Sequence, residues 1–554
     1  MISISVCRAA PLLALGFAAP ALAQAPYATS ILYVNTPGHP TNVVPGAGIP
    51  FRTGGTGTSA FERPYISSNG LHLSINVVAS SATTDDDVLL LDGALFLREG
   101  SPAPWAAGQN VGTIDPDLAI NDAGDILLGN NVGPATTLDD YIALWSGGVW
   151  SVLAQDGSAT PAGGTWTSTI DSTALSNTGI ACYRGTTITG LPTASNALVA
   201  IGGTLIQKGI DIPIAQAGGA TNTWENFTTN RVYISPDGNT VVLVGDTNAA
   251  TTTDAILTVN NVVTIQEGVV LPGSSFATVV SSIGKAWVDN AGNWYARGSN
   301  LTSGDDWMVR NGTLVAESSG TDEIIPGTGE HWNDASFTTC FFAFDGNSLG
   351  QFLICGVTDA PATSNGVIVF DDGVGNRYVA VREDDPVDLD GNGLFDDDRF
   401  FNTFGDDDIL LQDDGTIVFT ATLRNAAGTA VDQGLFRLTP NSASCTFRNG
   451  SGINPSALTC TTLPITGTTW QIGLTFGPNT LATFLYADPT PIPAFPLFGG
   501  ELLIAPTAFG IPTMINLPYG YQGLAFSLQA IRLDFDGVDF SFVLTNAQDA
   551  VIGS

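Results

Sequence analysis

A glycine turn that returns seven times constrains this chain of 554 residues more than any other feature. The copies read Ser67-Ser68-Asn69-Gly70, Asn121-Asp122-Ala123-Gly124, Ser176-Asn177-Thr178-Gly179 and Ser235-Pro236-Asp237-Gly238. They continue as Asp289-Asn290-Ala291-Gly292, Phe344-Asp345-Gly346-Asn347 and Gln412-Asp413-Asp414-Gly415. Their glycines lie 54, 55, 59, 54, 54 and 69 residues apart. Regular spacing of this length marks a repeat architecture, in which no single unit can bury its own apolar face.

The second unit shows what a repeat contains. Asp117 to Ile120 leads into the turn, and Asp125 to Gly129 leads out. Asp140 to Trp145 and Val149 to Ala154 follow, separated by Gly147-Gly148. Such short β-branched and aromatic runs, bounded by Gly, Asn and Asp, read as strands joined in hairpins. The second turn recurs at Asp92-Gly93, Gly202-Gly203, Asn260-Asn261, Asn311-Gly312 and Asp372-Gly373. A third recurring piece follows the fourth strand: Glu99-Gly100 to Pro102, Asp156-Gly157 to Pro161, Lys208-Gly209 to Pro213, Glu267-Gly268 to Pro272. Four strands in every unit of this length describe an all-β fold of the β-propeller type.

The seventh unit lacks a fourth strand, because composition changes at Pro440. Near the N-terminus, Ser30 to Val34 is a strand without partners of its own, followed by Thr36-Pro37-Gly38-His39-Pro40, which resembles the tail of the other units. The N-terminal strand is therefore expected to complete the last blade, removing two exposed sheet edges. This gives a seven-bladed β-propeller over 24–440, closed by the N-terminal strand. Residues 441–554 lose the blade turns. Apolar runs at Trp470 to Phe476, Leu481 to Tyr486, Glu501 to Ala505, Leu524 to Leu528, Ile531 to Phe535 and Phe540 to Leu544 suggest a C-terminal β-sandwich or jelly roll.

Residues 1–23 read as a signal peptide: Arg8, an apolar stretch from Ala9 to Ala19, then Ala21-Leu22-Ala23 before Gln24. Nothing downstream is long and apolar enough for a transmembrane segment. The expected location is secreted, extracellular or at the cell surface. The chain carries 52 acidic against 17 basic residues, a formal charge of -35, and its only lysines are Lys208 and Lys285. Such a surface repels nucleic acid and attracts divalent cations. In an oxidising compartment Cys340 with Cys355, and Cys445 with Cys460, are plausible disulfide pairs, leaving Cys182 as a buried thiol.

An insertion at Val387 to Phe404 lengthens the sixth unit and carries the strongest local motif, Asp388-Leu389-Asp390-Gly391-Asn392-Gly393-Leu394-Phe395-Asp396-Asp397-Asp398. Oxygens at positions one, three and five, then Gly at six, open an EF-hand-type calcium loop. The expected ligands are Asp388, Asp390, Asn392, the Leu394 carbonyl, Asp396 and Asp398. Arg399 stands where the usual glutamate would, so Asp397 or Asp398 would substitute. Such a calcium ion would be structural, a clip in a long loop. His39, His72 and His331 lie in different units without zinc-ligand spacing.

Glu99, Asp156, Lys208, Glu267, Glu317 and Glu383 recur at one position and should gather on one rim. A ligand site near the axis and a blade-to-blade hydrogen bond both explain that recurrence. Trp105, Trp166, Trp224 and Trp332 also recur, as sugar-stacking surfaces or as indoles packed between blades. A P-loop and H-E-x-x-H are both missing from the sequence. With so many acids no glycosidase pair is singled out.

Asn121 to Gly124 with Leu128, Gln412 to Gly415 with Phe419, and Arg98-Glu99-Gly100-Ser101-Pro102-Ala103-Pro104 resemble a family of secreted bacterial proteins with tandem NxxGxxxF repeats. The resemblance covers about residues 30–440. Gly523 to Ala530 and Leu544 to Ala547 look like a C-terminal domain of exported planctomycete-type proteins. Together these resemblances imply export and cell-surface assembly, and carry over no catalytic residues. The expected role is that of a non-enzymatic structural or interaction protein for attachment or extracellular assembly, with a protein or self-assembly partner. The alternative is a carbohydrate-binding protein or glycoside-active enzyme using the axial pocket, with glycan as ligand.

Overall fold

The computed structural model describes residues 27–53, 59–134, 137–168, 170–300, 304–333, 339–392, 395–440, 443–465, 469–506, 508–517 and 524–553. The expected signal peptide lies outside them. Two compact units divide the chain, Thr29–Thr439 and a smaller one containing Pro440–Ser554.

The larger unit is all-β and propeller-like. Among the described residues it contains seven four-stranded antiparallel sheets. The first holds Phe61–Ile66, Leu73–Val78, Asp87–Leu91 and Ala94–Arg98. The second holds Asn110–Ile120, Ile126–Gly133, Asp140–Ser146 and Val149–Gln155. The first strands of the next five are Ile170–Leu175, Trp224–Ile234, Val280–Val288, Phe341–Gly346 and Phe400–Leu411. Each first strand packs against the sheet that precedes it, and that of the first sheet meets the seventh, so the series closes. The core is therefore a series of apolar seams between neighbouring sheets. One seam joins Ile75, Val77, Val88 and Leu90 of the first sheet to Val418 and Leu435 of the seventh.

Tyr27–Val34 pairs with Ala430–Pro440 and supplies the outer strand of the seventh sheet. Asn35 fixes the join. Its N–H donates to the Gln433 carbonyl at 3.0 Å, and its Oδ1 accepts from the Gln433 N–H at 2.7 Å. Glu383 does the same in the sixth sheet, its N–H donating to Gly366 O and its Oε2 accepting from Gly366 N–H, both at 2.9 Å. The residue after the N-terminal strand thus repeats the device used after the fourth strands of the fourth, fifth and sixth sheets, at Glu267, Ser318 and Glu383.

The sixth turn differs from its expected position. Phe344, Asp345 and Gly346 are still strand, and the turn is Asn347-Ser348-Leu349-Gly350, with Gly350 at φ 82°. The correct glycine lies 58 residues after Gly292 and 65 before Gly415, which makes the period more even. Strand register overturns one disulfide as well. Cys355 stands opposite Ala343, while the Cys340 thiol lies against the Val357 carbonyl, so both stay as buried thiols. Cys445 and Cys460 are bonded.

Among the described residues, the smaller unit has a five-stranded, a three-stranded and a two-stranded sheet. Trp470, Ile472, Leu485, Leu528 and Ala530 meet in its core. Ala525–Phe535 is one strand with an irregularity between Gln529 and Ile531, not two separate runs. Gln529 is fully buried and meets all its hydrogen-bonding capacity, donating to Glu501 O and Thr545 O and accepting from Tyr486 and the Leu503 N–H. Burying an amide without those partners would cost about 1–3 kcal/mol.

Candidate functional site

The recurring turn is a local cap and an inter-sheet staple in one. Asn121 Oδ1 accepts from the N–H groups of Ala123 and Asp125, and its Nδ2 donates to Ser176 O in the next sheet. Asn347 repeats both halves, accepting from Leu349 and Gln351 and donating to Gln412 O. Where serine replaces asparagine, only the local half remains, as when Ser176 Oγ accepts from Ile180 N–H. The turns also meet across the ring of sheets. Asn290 Nδ2 donates to Ser68 O at 2.9 Å and Asn177 Nδ2 to Ser68 Oγ at 3.0 Å, although these residues belong to the fifth, first and third sheets. That end of the ring is thereby drawn together at its centre.

The third recurring piece has an equally local purpose. The N–H groups of Glu99, Asp156, Glu267 and Glu383 each close onto the first residue of their own third strand, and that of Lys208 onto Ala197, just before its third strand. In the fifth sheet Ser318, not Glu317, holds this position, so Glu317 is one residue out of register. These positions sit on the outer strands and do not form an axial ring. The glycine that follows donates across to the next sheet, Gly100 to Val111 O, Gly157 to Trp166 O, Gly209 to Trp224 O and Gly268 to Val280 O. All four glycines have φ between 67° and 77°, a region costly for residues with a side chain.

Trp166, Trp224 and Trp332 are buried, and each ring lies against a glycine of a second strand, Gly185, Gly245 and Gly356. Trp105 is partly exposed beside Trp150, at 4.7 Å between ring centroids. The three histidines are far apart in the ring, His72 on Asp92, His331 on Asp359 and His39 on Thr41.

In the insertion, the carboxylates of Asp388, Asp390 and Asp397 come within 4.8 Å of one another. Asn392 stands beside them, its Nδ2 donating to Asp390 Oδ2 at 3.0 Å. Leu394 lies outside the described residues. Asp396 is outside the cluster, and Asp398 turns away, at φ 53°, to accept from the Ala426 N–H. Arg399 draws it there by pairing with Asp432 and donating to the Asp397 and Asp398 carbonyls. His39 Nε2 lies 2.9 Å from Leu389 O. The loop therefore braces the seventh sheet and the segment that closes it.

A second cluster escaped the sequence reading. The first strands carry irregularities partway along, between Glu62 and Tyr65, Ile283 and Lys285, and Phe404 and Ile409. Arg63, Lys285 and Asp408 each stand four residues before their turn, at one level of the ring. Lys285 Nζ is 2.9 Å from Asp407 Oδ2, and Arg297 Nη2 is 2.9 Å from Asp406 and 3.1 Å from Asp407. The Asp406 side chain is 70% exposed, whereas that of Arg297 is only 13% exposed. Burial lowers the Lys285 pKa despite Asp407, with Arg297 and Arg63 adding to the shift. Burial pushes Asp408 up to about 6, against a hydrogen bond from Thr420 at 3.0 Å. Burial also raises Asp406, with Asp407 adding to the rise, while Arg297 and Lys285 oppose it. A sequence signal existed, since Lys285 is one of two lysines and Asp406-Asp407-Asp408 interrupts a strand.

No protein-family model matches the chain, and no curated protein matches it either. Among solved structures, a subtype N11 neuraminidase-like protein of A/flat-faced bat/Peru/033/2010 (H18N11) is similar at 10% identity and a TM-score of 0.26. That match covers 69% of this chain and 87% of the other. A GH43 glycoside hydrolase engineered for endo-xylanase and exo-arabinofuranosidase activity is similar at 9% identity and a TM-score of 0.21. It covers 90% of this chain and 96% of the other. Scores this low carry no argument about activity.

Proposed function

We propose that the protein is a secreted or cell-surface assembly protein. In this reading the seven sheets are the blades of a propeller closed by the N-terminal strand, and the C-terminal unit is a β-sandwich that makes the contact. One observation carries the proposal. On one face of the five-stranded sheet, Phe484, Ile531, Leu533, Phe535, Phe540 and Phe542 lie together by register. Phe484 is 48% exposed, Phe540 66% and Phe542 45%. Phe498, itself 55% exposed, packs against Phe542 at 5.2 Å.

Contiguous exposed apolar surface of this kind marks interaction sites in soluble proteins. A second copy of the chain is the partner we favour. Copies bearing a formal charge of -35 repel each other except where the contacting surface is apolar and salt screens the rest.

We further propose calcium as a structural clip in the insertion. Three carboxylates and an amide offer the hard oxygen ligands that calcium takes. Bound there, calcium would offset the mutual repulsion of Asp388, Asp390 and Asp397 and stiffen the brace on the seventh sheet. Light scattering of the mature protein with calcium and then with chelator tests both parts. Multimers that depend on calcium support the reading, and a monomer in both conditions opposes it.

A further inference from the structure

The ionic cluster in the ring of sheets is built like a binding site, and its chemistry selects a ligand class. Arg63, Lys285 and Arg297 oppose Asp406, Asp407 and Asp408, so the six groups are formally neutral together. Their hydrogen-bonding capacity is not exhausted. Lys285 shows one ion pair for its three N–H donors. Arg297 Nε and Asp408 Oδ1 are buried with no hydrogen-bond partner. Such groups are costly to leave unmet.

A gradient of exposure runs through the cluster. The Asp406 side chain is 70% open, Lys285 25%, Asp407 18% and Arg297 13%. Arg297 is fixed from behind by donating to the Phe341 carbonyl, so the floor is preorganised. Phe404, on the strand of Asp406, stacks with Phe342 on the first strand of the sixth sheet at 6.2 Å and 22°, both rings partly exposed. At the other end of the first strands the turns meet through Ser68, Asn177 and Asn290.

Unspent donors and acceptors stand side by side here. An anion would face three carboxylates, and a cation three positive groups. A hydroxyl both donates and accepts, so a neutral ligand carrying several hydroxyls meets both sets at once. We propose that the cluster around Lys285, Arg297 and Asp406 binds a neutral glycan, hydroxyls on the ionic groups and a sugar face toward the Phe342–Phe404 pair. This site is separate from the aromatic face of the C-terminal unit and goes beyond the assembly reading.

The test uses the mature protein on an array of neutral hexose and pentose oligosaccharides, with sialylated and uronic-acid glycans on the same array. The best neutral glycan is then titrated into wild type, Lys285→Met and Asp406→Asn. Binding of neutral glycans is expected, with at least a tenfold loss of affinity in each variant. Phe540→Ser/Phe542→Ser should bind glycan as wild type does. Asp406→Asn changes an exposed group, and an unchanged Tm confirms that its fold is intact. Binding of charged glycans alone, no binding at all, or wild-type affinity in Asp406→Asn overturns the proposal.

Discussion

Asp345 makes stability depend on pH in a direction opposite to that of an ordinary surface aspartate. It is 6% exposed at the seam of the sixth and seventh sheets. One oxygen accepts from the Leu411 N–H at 2.7 Å and the other from the Gly346 N–H at 2.8 Å. Burial pushes its pKa up to about 7 from 3.8, and nearby Asp289 adds to the rise, while the two N–H donors oppose it. The folded state therefore prefers the protonated acid. Its contribution is fully present below the unfolded value near 3.8 and is lost as pH rises through about 7.

A shift of about three units corresponds to roughly 4 kcal/mol at about 1.36 kcal/mol per unit, an upper bound for a single group. Asp345→Asn mimics the protonated acid and cannot ionise. Denaturant midpoints of both proteins at pH 5 and pH 8 isolate the effect, since the general repulsion within the acidic chain is common to both. Wild type should lose more stability than the variant over that interval, by up to about 2.7 kcal/mol, because only the roughly two units between pH 5 and about 7 fall within it. Equal losses would refute the reasoning, because they would mean that the buried carboxyl is ionised throughout.

Three further outcomes follow from the same geometry. Asn35→Ala removes the cap joining the N-terminal strand to Gln433, and its Nδ2 bond to Arg52 O, and should cost about 2–4 kcal/mol by thermal or chemical unfolding. Gly209→Ala places a Cβ 2.1 Å from Ala194 O at φ 67°, whereas Gly108→Ala at φ 77° meets nothing within 4 Å. The first should destabilise by about 3 kcal/mol or more and the second by about 1 kcal/mol, and equal Tm values would contradict this. Reduction of Cys445–Cys460, which closes a loop with a sequence separation of 15, should cost the C-terminal unit about 3 kcal/mol, read by its unfolding with and without reductant.

The hairpins were legible because their turns demand particular residues. At Asp92-Gly93, Asn260-Asn261 and Asn311-Gly312 both central residues have positive φ, which is why Asp, Asn and Gly recur there. The closing strand was legible for a related reason, since a lone apolar run needs a sheet edge and the seventh sheet lacked its outer strand. The sixth turn was misplaced because Asp345-Gly346 imitates a turn dipeptide. Burial and the Leu411 N–H hold it in strand instead, a tertiary preference that local pattern does not encode. The pairing of Cys340 with Cys355 failed on register, which depends on where the strand irregularity falls between Phe341 and Ala343. The ionic cluster was hidden for a different reason. Arg63, Lys285, Arg297 and Asp406 are up to 343 positions apart and meet only when the ring closes. In the insertion the acidic spacing singled out Asp388 and Asp390, but the turn at Asp398 brings Asp397 to them instead.

The most direct test of the assembly reading is the mass of the mature protein in solution, measured by light scattering over a range of concentrations in calcium-containing buffer. Wild type should form multimers that grow with concentration, and Phe540→Ser/Phe542→Ser should remain monomeric with an unchanged Tm. Monomeric wild type, or multimers that persist unchanged in the double variant, would contradict the claim that this aromatic face joins copies of the chain.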